Sequence, residues 1–391
     1  MANILDYLIW RGDIPFSAVP FNEVDAVILS RISYMRLDRF MFYAGMDPIS
    51  LPSAVKKLLD PSVRPSANPL SESNIKMLTA LSDAPRYSGI EMLYYVSHFD
   101  AKHQVQFAAV TFRLAENSYY VAFRGTDNTL IGWKEDFNMS FSCPVPSQGE
   151  AVRYLDSLGR KLGVIPAAKE EGELPAVPAS DCRFIVGGHS KGGNLAVYSS
   201  AFCSEELQKR IDLVYNFDGP GFNPPVLESE GYTRICDRVS TFVPQSSVVG
   251  MLLEHEEKYT IVRSTSKNIW QHDTFSWEVG RSGFTALESV TNGSRFLDYT
   301  IKAWMTSLEP ARRERFVDAV YRVLLDTNVS TVRELTQNKF STFRKVYASV
   351  RKQDEQTRKD LAHSVKLFAK SAKVGMIKLL EERSENFPKL I

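Results

Sequence analysis

The sequence predicts an α/β fold: a central, mostly parallel sheet flanked by helices, with a helical appendage toward the C-terminus. Three observations carry this. An apolar run from Arg183 to Gly187 meets the glycine-bounded stretch Gly188-His189-Ser190-Lys191-Gly192 and then a helical pattern that begins at Gly193. Short β-like runs alternate with helical ones on both sides of that stretch. From about Pro310 onward glycine nearly vanishes and apolar residues recur at helical spacing.

Taken in order, residues 1–80 read as an amphipathic preface. Leu5, Leu8, Ile9, Val24, Val27, Ile28 and Ile32 fit helical spacing better than alternation, which places the preface over one side of the main body. The Pro- and Ser-rich interval from Leu51 to Pro69 reads as a surface connection. Met92 to Phe99, Val105 to Leu114 and Tyr119 to Phe123 are β-like and separated by polar turns, the pattern of a meander entering a sheet. A helical pattern covers Gly149 to Leu162, and Ala167 to Ser180 is a Pro-, Ala- and Glu-rich loop outside the core. After a helix extending to about Lys209, strands are expected at Asp212 to Phe217, Arg238 to Val243 and Tyr259 to Val262, with helix from Gly283 on. The division expected is a body of residues 1–305, preface included, and a C-terminal helical segment of residues 306–391.

Composition narrows the function classes. With 24% charged residues and a net charge of +1, the chain offers no global attraction for nucleic acid. The N-terminal run Met1 to Trp10 has an internal acid and lacks a basic leader or small-residue cleavage site, and no stretch has the length of a membrane span. Cys143, Cys182, Cys203 and Cys236 lack metal-ligand spacing, so no metal is expected and a cytoplasmic setting is the simplest reading. Residues 339–391 hold thirteen basic and six acidic side chains. That local excess suits either a solvated helical face or contact with an anionic membrane surface or protein partner.

Ser190 is the candidate nucleophile. A serine on so sharp a strand-to-helix turn takes a strained backbone, and side chains at Gly188 or Gly192 would collide with the neighbouring elements. The helix starting at Lys191 directs its first amides at any oxyanion forming beside Ser190. The long Lys191 side chain itself is expected to reach solvent.

The third β-like run ends in Phe123-Arg124-Gly125-Thr126-Asp127, followed by Gly132-Trp133-Lys134-Glu135-Asp136. With the Gly-His-Ser-x-Gly-Gly stretch, this resembles class 3 lipases, which are α/β-hydrolases, across residues 90–280. Asp6 to Asp13 resembles the opening of an uncharacterised bacterial branch of that superfamily, a domain of unknown function. The resemblance implies that Ser190 is the nucleophile and that Thr126 lines the oxyanion hole opposite the N–H of Lys191. Arg124 and Asp136 are expected to tie their loop by an ion pair.

A serine needs a base, and the base a group to hold its tautomer. His98 and His103 precede the serine, the wrong order for this fold, and His363 lies in the C-terminal helices. His189 is expected to point away from the site. His255, in Glu254-His255-Glu256-Glu257, reads as part of a solvated charged turn. His272, among Trp270, Phe275 and Trp277, is the favoured base. The acid departs from the class 3 pattern: the matching region, Val243 to Gly250, holds no carboxylate. Something else must orient the base, or nothing does, and Asp218 is the natural substitute, expected to end the strand after the elbow helix as the acid does in pancreatic-type lipases. Its alternative role is to cap the Gly219-Pro220-Gly221 turn. Asp273, Asp237, Ser246 and Ser247 are lesser candidates.

The function expected is cleavage of a carboxylic ester or thioester with an apolar acyl group, with no cofactor and a small acyl ester or lipid as substrate. The alternatives are a catalytically weak interaction module and, more remotely, a peptidase.

Overall fold

The computed structural model describes residues 1–63, 70–100, 102–103, 105–126, 138–139, 143–166, 180–326 and 339–385. Its helices are α1 (Ile4–Arg11), α2 (Glu23–Ile32), α3 (Leu51–Leu59), α4 (Glu72–Ser82), α5 (Pro146–Lys161) and α6 (Lys191–Phe202). The short α7 (Glu205–Gln208), α8 (Pro224–Leu227) and α9 (Glu230–Ile235) follow, then α10 (Asn292–Ser307), α11 (Pro310–Asp326), α12 (Lys339–Lys352) and α13 (Glu355–Glu385). The strands are β1 (Ile49–Ser50), β2 (Glu91–Asp100), β3 (Val105–Ala115), β4 (Ser118–Phe123), β5 (Arg183–His189), β6 (Ile211–Phe217), β7 (Val239–Pro244), β8 (Tyr259–Val262) and β9 (Ala286–Leu287).

All nine strands form one sheet in the order β1 to β9. β1 to β4 pair antiparallel, β4 to β8 are parallel, and β9 closes the far edge antiparallel. Because the parallel strands follow one another in sequence order, right-handed crossovers bring their connecting helices to the same face. Alternation in β4 shows the consequence. Tyr119, Val121 and Phe123 pack with side chains of α5 and α6, whereas Tyr120 and Ala122 pack with those of α1 and α2 on the opposite face.

The N-terminal helices therefore cover the second face of the sheet and supply much of the core there. Ile4, Tyr7 and Leu8 of α1 and Val24, Val27, Ile28, Leu29 and Ile32 of α2 are buried, although Ile9 is exposed. An ion pair anchors this layer: the buried Asp25 carboxylate accepts from Arg86 Nη2 at 2.6 Å, Arg86 Nε at 2.9 Å and the Tyr87 hydroxyl at 2.7 Å. Both side chains are inaccessible to solvent, so removing one leaves a buried charge unpaired. Asp25→Ala is expected to lower unfolding free energy by about 3–5 kcal/mol, read from denaturant midpoints.

Three local expectations need correction. Leu51–Leu59 is helix rather than connection, because the Ser50 hydroxyl accepts from Ser53 N, Pro52 sits in the first turn, and Leu51, Ala54, Val55 and Leu58 bury one face. The elbow helix stops at Phe202, and α7 follows as a separate turn. Helix resumes at Asn292 rather than Gly283, since Ala286 and Leu287 complete the sheet first. The loop expected at 167–180 lies outside the described residues apart from Ser180. α10 spans residue 305 and packs along α13, while α11 packs on both α12 and α13. No helix among the described residues is long and apolar enough to cross a membrane.

Candidate active site

Ser190 sits at the carboxyl end of β5 with φ 59° and ψ −134°, a conformation that L side chains rarely adopt. Its N–H donates to Phe217 O at 2.8 Å, and α6 departs from it at once. The flanking glycines permit this. A Cβ at Gly188 would overlap the backbone of Gly192, and one at Gly192 would overlap Phe123 O and stand 3.0 Å from Gly125 N. The first turn of α6 thus lies directly against the end of β4.

That close approach brings Gly125 to the nucleophile. A Cβ there would stand 3.0 Å from Ser190 Cβ and overlap both His189 O and the Tyr34 hydroxyl. Thr126 is the next residue, and the chain from 127 to 137, including Asp136, lies outside the described residues. The Lys191 side chain does not reach solvent. It is buried, and its Nζ donates to Gln106 O on β3 at 2.8 Å, because α6 starts pressed onto the sheet.

Asp218 ends β6 directly beside Ser190, since His189 and Phe217 are register partners. It too has a positive φ, 53°, and its side chain is fully buried. Asp218 Oδ2 accepts from His272 Nδ1 at 2.6 Å. Oδ1 accepts from the Ser247 hydroxyl at 2.5 Å and from Gly250 N at 3.1 Å. The segment Val243 to Gly250, which holds no carboxylate of its own, therefore supplies the donors that hold Asp218. The Gly-Pro-Gly turn is not capped by Asp218: Asn216 Oδ1 accepts from Gly219 N at 2.9 Å, and Asn194 Nδ2 donates to Pro220 O and Gly221 O, each at 3.1 Å.

His272 lies in the loop after β8. With Nδ1 facing a carboxylate, its proton resides there and Nε2 is the basic nitrogen. The ring is partly exposed, whereas Ser190 is 8% exposed. Among the described residues, no hydrogen bond joins Ser190 Oγ to His272 Nε2. Catalytic contacts of this kind often tighten only around substrate.

His189 does not point away. Its ring centroid is 4.4 Å from that of His272, and its Nε2 donates to His272 O at 2.7 Å. The Tyr34 hydroxyl stands 3.0 Å from His189 Nδ1, which is left to accept. Burial, reinforced by the nearby charges of His272 and Arg31, holds His189 well below the usual imidazole range and so uncharged at neutral pH. A neutral ring supports the loop of His272 without opposing a positive charge on it.

His255 is not in a solvated turn either. It is nearly buried, bonded to Glu257 and to Gly250 O. The lesser acid candidates fall elsewhere. Asp273 pairs with Arg31 at 3.1 Å, Asp237 is exposed before β7, at the opposite end of the sheet, and the Ser246 hydroxyl meets that of Thr291. Residues without a motif complete the site. Tyr34 and Arg31 come from the N-terminal layer, Arg31 also donating to the Thr274 hydroxyl at 3.2 Å. Only their placement across the sheet identifies them.

A family model described as Mbeg1-like matches residues 81–322. Among solved structures, the chain is similar to the Rhizomucor miehei lipase propeptide complex at 16% identity, over 50% of this chain and 66% of that one, with a TM-score of 0.33. It is similar to M37 lipase at 15% identity, over 47% and 64%, with a TM-score of 0.30. The chain spans just under two thirds of the length of these proteins. No curated protein matches it.

Proposed function

We propose that this chain, which belongs to the Mbeg1-like family, is a serine hydrolase of the α/β-hydrolase type that cleaves a carboxylic ester or thioester with an apolar acyl group. The observation that carries the reading is the 2.6 Å contact between His272 Nδ1 and a buried Asp218, beside a serine in a strained elbow. In this reading Ser190 Oγ attacks the substrate carbonyl carbon while His272 Nε2 takes its proton. Asp218 holds the tautomer and stabilises the imidazolium, and the N–H groups of Thr126 and Lys191 receive the oxyanion. The tetrahedral intermediate collapses with the proton passing from His272 to the leaving alcohol or thiol. Water, deprotonated by His272, then releases the acid and restores Ser190. The kinship with class 3 lipases and their bacterial branch, a cytoplasmic setting, and a body of residues 1–305 with a 306–391 appendage belong to the same proposal.

Hydrolysis of p-nitrophenyl esters from acetate to palmitate by the folded protein tests it. Turnover with a chain-length optimum is expected. A folded protein that hydrolyses none of them would overturn the reading in favour of an interaction module whose C-terminal helices bind a partner or an anionic surface.

A further inference from the structure

Behind Asp218, on the side away from His272, lies a second histidine–carboxylate pair. Glu257 is buried, and its side chain has no accessible surface. Its Oε1 accepts from the Thr241 hydroxyl at 2.6 Å and from His255 Nδ1 at 2.9 Å, and its Oε2 accepts from the Tyr232 hydroxyl at 2.6 Å. Burial alone would push this carboxyl up, but bonds from His255, Thr241 and Tyr232 and the charge of His255 outweigh it and hold Glu257 at about 2. Glu257 is therefore an acceptor only. The other ring nitrogen, His255 Nε2, faces Gly250 O at 2.8 Å, and a carbonyl is also only an acceptor. The His255 ring therefore bridges the Glu257 carboxylate and the Gly250 carbonyl, to which only an Nε2–H can donate.

Gly250 is thereby held on both sides, its C=O by His255 and its N–H by Asp218 Oδ1. The same N–H also reaches the Ser247 hydroxyl at 3.0 Å, and Ser247 O accepts from Ser294 Oγ of α10 at 2.9 Å. A Cβ at Gly250 would overlap Asp218 Oδ1, so the turn is packed onto the carboxylate itself. The charged and titratable groups around His255 are Glu257 from its own loop, Tyr232 from α9, the neighbouring Cys236, and Asp298 of α10. Asp298 is paired with Lys302 at 3.2 Å. Nothing in the Glu254–Glu257 stretch signals this, because its acids suit a solvated turn equally well.

We propose that His255 is a positioning residue: held by Glu257 at Nδ1 and donating from Nε2 to Gly250 O, it pins Gly250 and so fixes the two donors that hold Asp218 on His272. The inference rests on the hydrolase reading for its catalytic consequence, but its geometry is measurable without turnover. In wild type, nitrogen NMR is expected to show His255 Nε2 protonated at neutral pH, and proton NMR a low-field resonance from His272 Nδ1–H. In folded His255→Gln and Glu257→Gln that resonance should shift or broaden, and kcat should fall about tenfold or more with KM little changed, as when partners behind a working histidine are lost in metal sites. Tyr232→Phe, which removes one donor to Glu257 without disturbing a charge, should shift the resonance in the same direction by less. An unprotonated His255 Nε2 in wild type overturns the proposal. So does an unchanged His272 resonance in folded His255→Gln. If these NMR results hold while wild type turns over no ester, the positioning stands and the hydrolase reading falls.

Discussion

Ser190→Ala is expected to reduce kcat on the best ester about 10^6-fold, as loss of the nucleophile does in other serine hydrolases, leaving only what oxyanion donors and binding supply. The size follows from the arrangement. In the proposed mechanism His272 and Asp218 act on a substrate only through the Ser190 hydroxyl, so without Oγ no covalent route remains. Stability should change little. Alanine suffers the same positive φ as serine, and Ser190 Oγ makes no bond to His272. Steady-state kinetics paired with thermal unfolding separate the two effects, and a large loss of stability in Ser190→Ala would contradict this account of the elbow.

The second large effect is expected at the acid. Asp218→Asn should lower kcat about 10^4-fold, the scale of the corresponding change in a serine protease triad. The reason lies in the donors on both oxygens. Ser247 Oγ and Gly250 N require an acceptor at Oδ1, so an asparagine amide there must turn its NH2 toward His272. His272 Nδ1 would then have to accept, moving its proton to Nε2, where a base must have a lone pair. KM should change far less than kcat, because Asp218 is buried behind His272 and away from substrate. A kcat within tenfold of wild type would show that another group orients His272.

How much of this was legible depended on the range of the interactions. The elbow was readable because its causes are local: a strand, two glycines forced by close approach, and a helix within a dozen residues. Asp218 was readable from its position at a strand end, although the sequence could not decide between capping the turn and facing His272. Asn216 makes that decision by taking the capping role. The misread residues are those whose surroundings come from far along the chain. His189 meets Tyr34, 155 residues before it, and His272, 83 residues after it. Lys191 is buried because β3 offers a carbonyl at Gln106. His255 is drawn inside because it meets Glu257, which Thr241 and Tyr232 hold in place. Helix α3 was a local error, since Ser50 and Pro52 form a start signal hidden by the loop-like composition around them. The parallel run was legible as strands, but the fact that its crossovers share one face, leaving the other to the N-terminal layer, belongs to topology.

Activation of Ser190 as a nucleophile is tested by incubating the folded protein with a fluorophosphonate probe, beside Ser190→Ala and Asp218→Asn. Rapid covalent labelling of wild type at Ser190, none in Ser190→Ala, and slowed labelling in Asp218→Asn are expected. Wild type that is folded and stays unlabelled, or labelling that is equal in Ser190→Ala, would contradict that activation.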